Sequence, residues 1–198
     1  MNPLTTRERL LASALALFAE HGFQGAAVRD ICDLARANPG AVSYHFGGKR
    51  QLYRAALRQA ADRLAAPPPP SPAAVDAPLP LRLQAFVRFL GQRFADDPLS
   101  VRLLVRDLAD GGAVAVEALA PVFRSVVEWL RAATGQDDGP QATAAARELV
   151  VVLGSPLVCL NVAWPLLEKG LGFEPHHRDE VLGRVLQRSL GMPSEVEP

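Results

Sequence analysis

The side chains that could carry chemistry are few in this 198-residue chain, and their spacing suits recognition rather than catalysis. In ANPGAVSYHFGGKRQLY, residues 37–53, the small residues Pro39, Gly40, Ala41 and Ser43 precede His45 and Lys49. Small side chains let a backbone sit deep in a major groove, and one or two turns of helix suffice to reach base edges there. His45 and Lys49, at the far end of the stretch, fall where a sugar-phosphate strand would pass. No nucleophile–base set, phosphate-binding loop or paired metal-ligand spacing accompanies them, so neither an enzyme nor a cofactor is expected. EPHHRDE, residues 174–180, does gather acids and histidines, but only His176 with Asp179 or Glu180 has same-face helical spacing. Acids in an exposed first helical turn are explained by the helix dipole, and no metal site is expected. Cys32 and Cys159 are too few and too far apart for a disulfide framework, and both read as core thiols.

The elements that must position these residues are punctuated clearly. In TTRERLLASALALFAEHGF, Thr5 and Glu8 fit a capping box, Gly22 fits a helix stop, and Leu11, Ala14, Leu15 and Phe18 form one apolar face. VRDICDLARA places Val28, Ile31, Leu34 and Ala35 on one side and leaves Arg29, Asp30 and Asp33 to face water. Asn38 as N-cap and Pro39 at the first helical position start a third helix, which Gly47-Gly48 ends. A fourth spans 49–65, with Leu52, Ala56 and Leu57 inward. A short third helix entered by a tight turn is a helix-turn-helix layout. Charge agrees: residues 1–64 hold nine Lys/Arg against five Asp/Glu, and the remainder twelve against sixteen, a basic module on an acidic body.

PPPPSPAAVDAPLP, residues 67–80, is half proline and cannot form helix or central strand, so it reads as an extended loop. Beyond it the pattern is helical again, over 81–94, 99–109, 114–134 with Pro121 as a break, 141–170 and 175–190. The expected architecture is all-α with about nine helices. A helix-turn-helix domain occupies 1–48, the helix 49–65 connects, and a helical effector-binding and dimerisation domain fills 81–198. No apolar run has the length of a membrane span and no signal-peptide pattern is visible, so the chain reads as cytoplasmic.

Residues 6–57 resemble the N-terminal domain of the tetracycline-repressor (TetR) family of transcriptional regulators. The resemblance rests on Leu11, Ala14, Phe18 and Gly22-Phe23, on Val28-Arg29-Asp30-Ile31, and on Ser43-Tyr44-His45-Phe46 followed by Lys49 and Leu52-Tyr53. The run YHFGGK is similar to one branch of that family with a helical C-terminal domain. Past residue 64 the likeness thins to Arg106-Asp107 and Pro121-Val122-Phe123. The resemblance implies that Arg29 reaches a base edge, that Pro39, Gly40, Ala41 and Ser43 face bases, and that Tyr44, His45 and Lys49 hold phosphates. For Tyr44 a place packed under the recognition helix stays open. Three features depart from the family pattern. Arg36 occupies the glycine position of the turn, Ala26-Ala27 cannot cap the second helix, and the base-facing positions carry a single hydroxyl.

A single short recognition helix gains affinity by pairing two copies on a two-fold site, and the resemblance also implies a homodimer. The segment ELVVVLGSPLVCLNVAWPLLEK from Glu148 is apolar nearly all round. Its Val158 and Val162, with Val181, Leu182, Val185 and Leu186 of the last helix, are the expected interface. Candidates for an effector pocket are Phe86, Phe89, Arg102, Arg106, Trp129, Cys159, Asn161 and Trp164, which supply aromatic walls and a few polar groups. Arg102 and Arg106, four apart, could hold an anion together or lie solvated beside Asp107 and Asp110. The expected function is a regulator that binds a palindromic operator in double-stranded DNA, a repressor released by a small molecule. The alternative is a ligand-independent DNA- or partner-binding factor on the same fold.

Overall fold

The computed structural model describes residues 4–64, 78–134 and 139–172, together with the single positions 174, 177, 180, 181, 184, 185 and 188. Every regular element among them is an α-helix: α1 (Thr6–Gly25), α2 (Val28–Leu34), α3 (Ala41–Phe46), α4 (Lys49–Leu64), α5 (Leu79–Asp96), α6 (Pro98–Ala109), α7 (Ala113–Thr134) and α8 (Pro140–Leu171). Positions 177, 180, 181, 184, 185 and 188 are helical too. The all-α architecture is therefore as the periodicity implied. The proline-rich stretch lies outside the described residues except at its last few positions, where α5 already begins.

Helix starts follow the side chains that can satisfy free amides. Thr5 Oγ1 accepts the Glu8 amide at 3.3 Å while Glu8 Oε2 accepts the Thr5 amide at 2.7 Å, a complete capping box. The hydroxyl and amide of Thr5 hold the Glu8 carboxyl below its ordinary value. Asp97 caps α6 by accepting the Ser100 amide at 3.1 Å, with Pro98 at the first helical positions. Gly22 interrupts the regular helix where a stop was expected. It kinks the helix at φ 72 and ψ 179, and the chain resumes for a further turn to Gly25. A Cβ at Gly22 would lie 3.1 Å from Arg106 Nη1, the end of a side chain that can shift, so it is the backbone angle that calls for glycine.

Pro121 was expected to break the helix that holds it, yet α7 runs through it. A proline inside a helix costs about 3 kcal/mol through the lost hydrogen bond and the clash with the preceding turn. Ala115 before it and Leu130 after it are fully buried, and a leucine alone gains about 1.5–3 kcal/mol on burial. Packing of both halves offsets the local cost. Pro156 and Pro165 are likewise carried within α8.

The described chain divides into two compact units, one within Met1–Ala65 and Asp97–Val122, the other within Ala66–Asp96 and Phe123–Pro198. This differs from the division read from sequence, in which everything past residue 81 formed one domain. α6 and the head of α7 instead belong with α1–α4, because α6 packs on both α1 and α4. The core of this first unit joins Leu10, Ala14 and Phe18 of α1, Ile31 of α2, Val42 of α3, Leu52 and Leu57 of α4, and Leu103 of α6. In the second unit α5 packs on α8, and Leu83, Phe86 and Leu130 are buried with Leu90, Phe94 and Val126 against them.

One buried polar bridge ties the first unit together. The Tyr53 ring sits edge-on to Phe18 at 4.9 Å and tilted against Phe23 at 5.1 Å. Its hydroxyl donates to Asp107 Oδ1 at 2.8 Å, and Asp107 Oδ2 accepts the Ala115 amide at 2.8 Å. Asp107 thus caps the first turn of α7 from α6 while holding α4. Burial, followed by the hydrogen bond and charge of Asp107, pushes the Tyr53 phenol above its ordinary value. Tyr53→Phe keeps the ring contacts and removes one donor from a buried carboxylate. It is expected to cost about 1–3 kcal/mol, read as a lower urea midpoint with an unchanged slope.

Candidate nucleic-acid interface

The short helix at the centre of the site is defined by what surrounds it. Asn38 Oδ1 accepts the Gly40 amide at 3.0 Å, and the Asn38 carbonyl accepts the Ala41 amide at 2.8 Å. The third helix therefore begins at Ala41, two residues later than expected, because Asn38 and Pro39 are spent on this turn. Gly47, at φ 78, closes it by donating its amide to the Ser43 carbonyl at 3.0 Å. Only Val42 of α3 is buried; Ser43 and Tyr44 are exposed and Ala41, His45 and Phe46 are half-buried. Nearly all of the helix is surface.

The turn that leads into it adopts the backbone form expected of a glycine. Arg36 has φ 50, the one non-glycine residue with positive φ among the described residues. Its amide donates to the Asp33 carbonyl at 3.1 Å, and the Ala37 amide to the Cys32 carbonyl at 2.9 Å. Cys32 is fully buried, as expected of a core thiol; burial pushes its pKa up, and its Sγ lies 4.0 Å from the Pro39 carbonyl. Ala27 precedes α2 without any side-chain cap, as the alanine pair implied. Leu34 departs from expectation: it is 58% exposed rather than buried. Ile31, Cys32 and Ala35 fill the inner face of α2, and Leu34 projects beside them into solvent.

The candidate recognition side chains are held with different firmness. Arg29 is exposed and lies 3.8 Å from the equally exposed Asp33. Such a pair is worth only a few tenths of a kcal/mol, so the guanidinium is available to a stronger acceptor. Tyr44 is 86% exposed and touches His45 edge-on at 4.9 Å, which excludes a place under the helix. Pro39 and Gly40 are exposed and stand just before α3. Lys49, at the start of α4, lies over the Phe23 ring at 4.8 Å and reaches the Gln24 carbonyl at 3.4 Å. Arg7 of α1, which no spacing singled out, has its guanidinium 5.1 Å from the centre of the Phe46 ring. That pairing is formed by residues far apart in sequence, so periodicity could not show it.

The candidate effector residues are divided between the two units. Phe86 and Trp129 stack at 4.3 Å with their planes 19° apart, Phe89 is half-buried beneath Arg93, and Trp164 is buried. Arg102 and Arg106 lie on α6 in the other unit. Arg102 is exposed, and Arg106 is half-buried against Gly22. Cys159 is exposed, correcting its reading as a core thiol, and the Asn161 side chain lies outside the described residues. Of the expected interface residues, Val158, Val181 and Val185 are half-buried; Leu182, Leu186 and the Val162 side chain lie outside the described residues. Val151 and Val152 of α8 are exposed. Glu174 and His177 bond locally, the Glu174 amide donating to His177 Nδ1 at 3.2 Å. His176 and Asp179 lie outside the described residues. Among the described residues no group of three metal-ligating side chains occurs, and no helix is long and apolar enough to cross a membrane.

Comparison with known proteins bears on this geometry. The family model described as bacterial regulatory proteins, tetR family, matches residues 10–56. An HTH-type transcriptional repressor, AcnR, of Corynebacterium efficiens is 40% identical over 63 residues, which cover 32% of this chain and 34% of that one. An HTH-type transcriptional regulator, UidR, of Escherichia coli is 36% identical over 58 residues, covering 29% of this chain and 30% of that one. The alignments thus span about a third of the length of these relatives. A solved tetR-family regulator from Streptomyces coelicolor superposes with a TM-score of 0.69 at 20% identity, covering 96% of this chain and 81% of that one. Residues 10–56 are a tetR-family N-terminal domain, and the helical fold of that solved regulator extends over nearly the whole chain.

The strained turn is testable by itself. A left-handed non-glycine residue costs about 1–2 kcal/mol, whereas glycine loses about 0.5–1 kcal/mol more backbone entropy on folding. Relief of strain exceeds the entropic cost, so Arg36→Gly is expected to stabilise the protein by up to about 1 kcal/mol in chemical denaturation. Arg36→Val, β-branched at the same backbone angle, is expected to destabilise it.

Proposed function

We propose that this chain is a sequence-specific DNA-binding transcriptional regulator, a homodimeric repressor that acts in the cytoplasm and is released by a small-molecule effector. The observation that carries the reading is the surface around α3. Small exposed residues at its entry, a free hydroxyl at Ser43, an exposed Tyr44 and loosely held cations at Arg29 and Lys49 all stand on one tetR-family domain. In this reading Arg29 binds a base edge, since an arginine fork matches guanine O6 and N7. Pro39, Gly40, Ala41 and Ser43 line the groove, and Tyr44, His45 and Lys49 hold phosphates, fixing position without carrying sequence information. In this reading the run from Tyr44 to Lys49 supports membership of the YHFGGK-type branch of the family.

A half-site of a few base pairs gives little specificity, which favours two copies on a palindrome. The exposed apolar Val151 and Val152 of α8 are the kind of surface a second copy would cover. An effector would enter the second unit beside the stacked Phe86 and Trp129, where apolar walls favour a molecule with planar apolar parts. Its effect would be a shift of population toward a state in which the two DNA domains no longer match successive major grooves.

Selection of bound fragments from the source genome at two salt concentrations tests the reading. A palindrome is expected. Arg29→Ala is expected to relax one base position in each half-site, with a loss of about 1–3 kcal/mol there. Tyr44→Ala and Lys49→Ala are expected to weaken binding evenly across sequences, and Lys49→Ala to reduce the salt slope by about one per protomer. Random fragments whose affinity disappears with salt would overturn it.

A further inference from the structure

We propose that Arg7, held on the Phe46 ring, is a further phosphate-binding residue that extends the DNA contact from the end of α3 onto the first turn of α1. The inference rests on the DNA-binding reading above and adds to it a residue outside the helix-turn-helix. Its first support is placement. Phe46 is the last residue of α3 and follows His45 directly, so the 5.1 Å approach of the Arg7 guanidinium brings a cation from α1 to that end of the helix.

The second support is that the fold leaves the hydrogen-bond donors of this cation unspent. Arg7 stands in the first turn of α1, where the positive end of the helix dipole disfavours a cation. Its contact with an aromatic ring at an exposed site offsets that penalty by an amount of the same order and leaves little net stabilisation. The adjacent Glu8 takes both the hydroxyl and the amide of Thr5 on its Oε2, and Arg7 acts on that carboxylate through charge alone, without a salt bridge. Arg9, two residues on, shows the contrast. Arg9 spends its donors on the carbonyls of Ala35 and Leu4 and on the Thr6 hydroxyl, a structural clamp between α1 and the end of α2. Among the described residues Arg7 makes no hydrogen bond or salt bridge; its contact is with the Phe46 ring, and the residue is exposed. A guanidinium steered by a ring face but with its donor edge unspent is ready for an oxyanion, and a phosphate accepts two of those donors side by side.

The experiment compares wild type, Arg7→Ala and Arg7→Lys on a mixed-sequence duplex and on the selected operator, across a salt series, with thermal unfolding beside each. Arg7→Ala is expected to lower the slope of log affinity against log salt by about one per protomer on both duplexes, and to weaken binding several-fold at low salt. Base preference should stay unchanged, and Arg7→Lys should restore most of the slope. An unaltered slope overturns the proposal, as does a change in base preference. A fall in unfolding temperature with DNA binding intact assigns Arg7 to structure alone and overturns it equally. Because the mixed-sequence duplex reports the phosphate contribution without any operator, loss of the palindrome would sink the regulator reading while leaving Arg7 decided by its slope. A wild type that binds neither duplex overturns both.

Discussion

The buried carboxylate of Asp107 is the constraint on which the first unit depends. An unpartnered charge in such a place costs several kcal/mol, so its two oxygens must find donors wherever the chain goes. They find the Tyr53 hydroxyl from α4 and the Ala115 amide from α7. A single side chain on α6 thereby fixes three helices at one point. Burial, followed by the hydrogen bond and charge of Asp107, raises the pKa of the phenol and so favours its donating form. Beside it the aromatic cluster of Phe18, Phe23 and Tyr53 carries the packing down to Lys49, whose ammonium lies over Phe23.

That base explains how so small a recognition element can stand. A helix of one or two turns does not hold itself together in water, and α3 buries only Val42. Its geometry is imposed from both ends, by the turn at Asn38 and the left-handed Gly47, and from below by α4. The arrangement leaves the outer face free of structural duty. Side chains there can be chosen for what they bind, and Ser43 and Tyr44 are both in that position.

The second unit relies on apolar contact instead. The Phe86–Trp129 stack and the leucines beside it supply its described core, and they tolerate prolines that a lone helix would not. The two arginines that looked suited to an anion belong to α6 in the other unit.

The capping box at Thr5 and Glu8, the glycine at the end of α3 and the inward faces of α1 and α4 were all legible in the residues, because each depends on neighbours within a turn or two of chain. The recognition stretch was legible for the same reason: Asn-Pro-Gly and Gly-Gly delimit it locally. Errors arose where distant packing outweighs local preference. Pro121 leaves α7 whole, Leu34 faces water and the helix after Pro98 joins the N-terminal unit. Nor could spacing show that Tyr53 meets Asp107, or that Arg7 meets Phe46, since a contact between separate helices has no period in the sequence. The order and kind of the helices were decided by hydrogen bonds within short stretches of chain. Which helices share a core, and which charges remain free at its surface, were decided only when burial brought remote residues together.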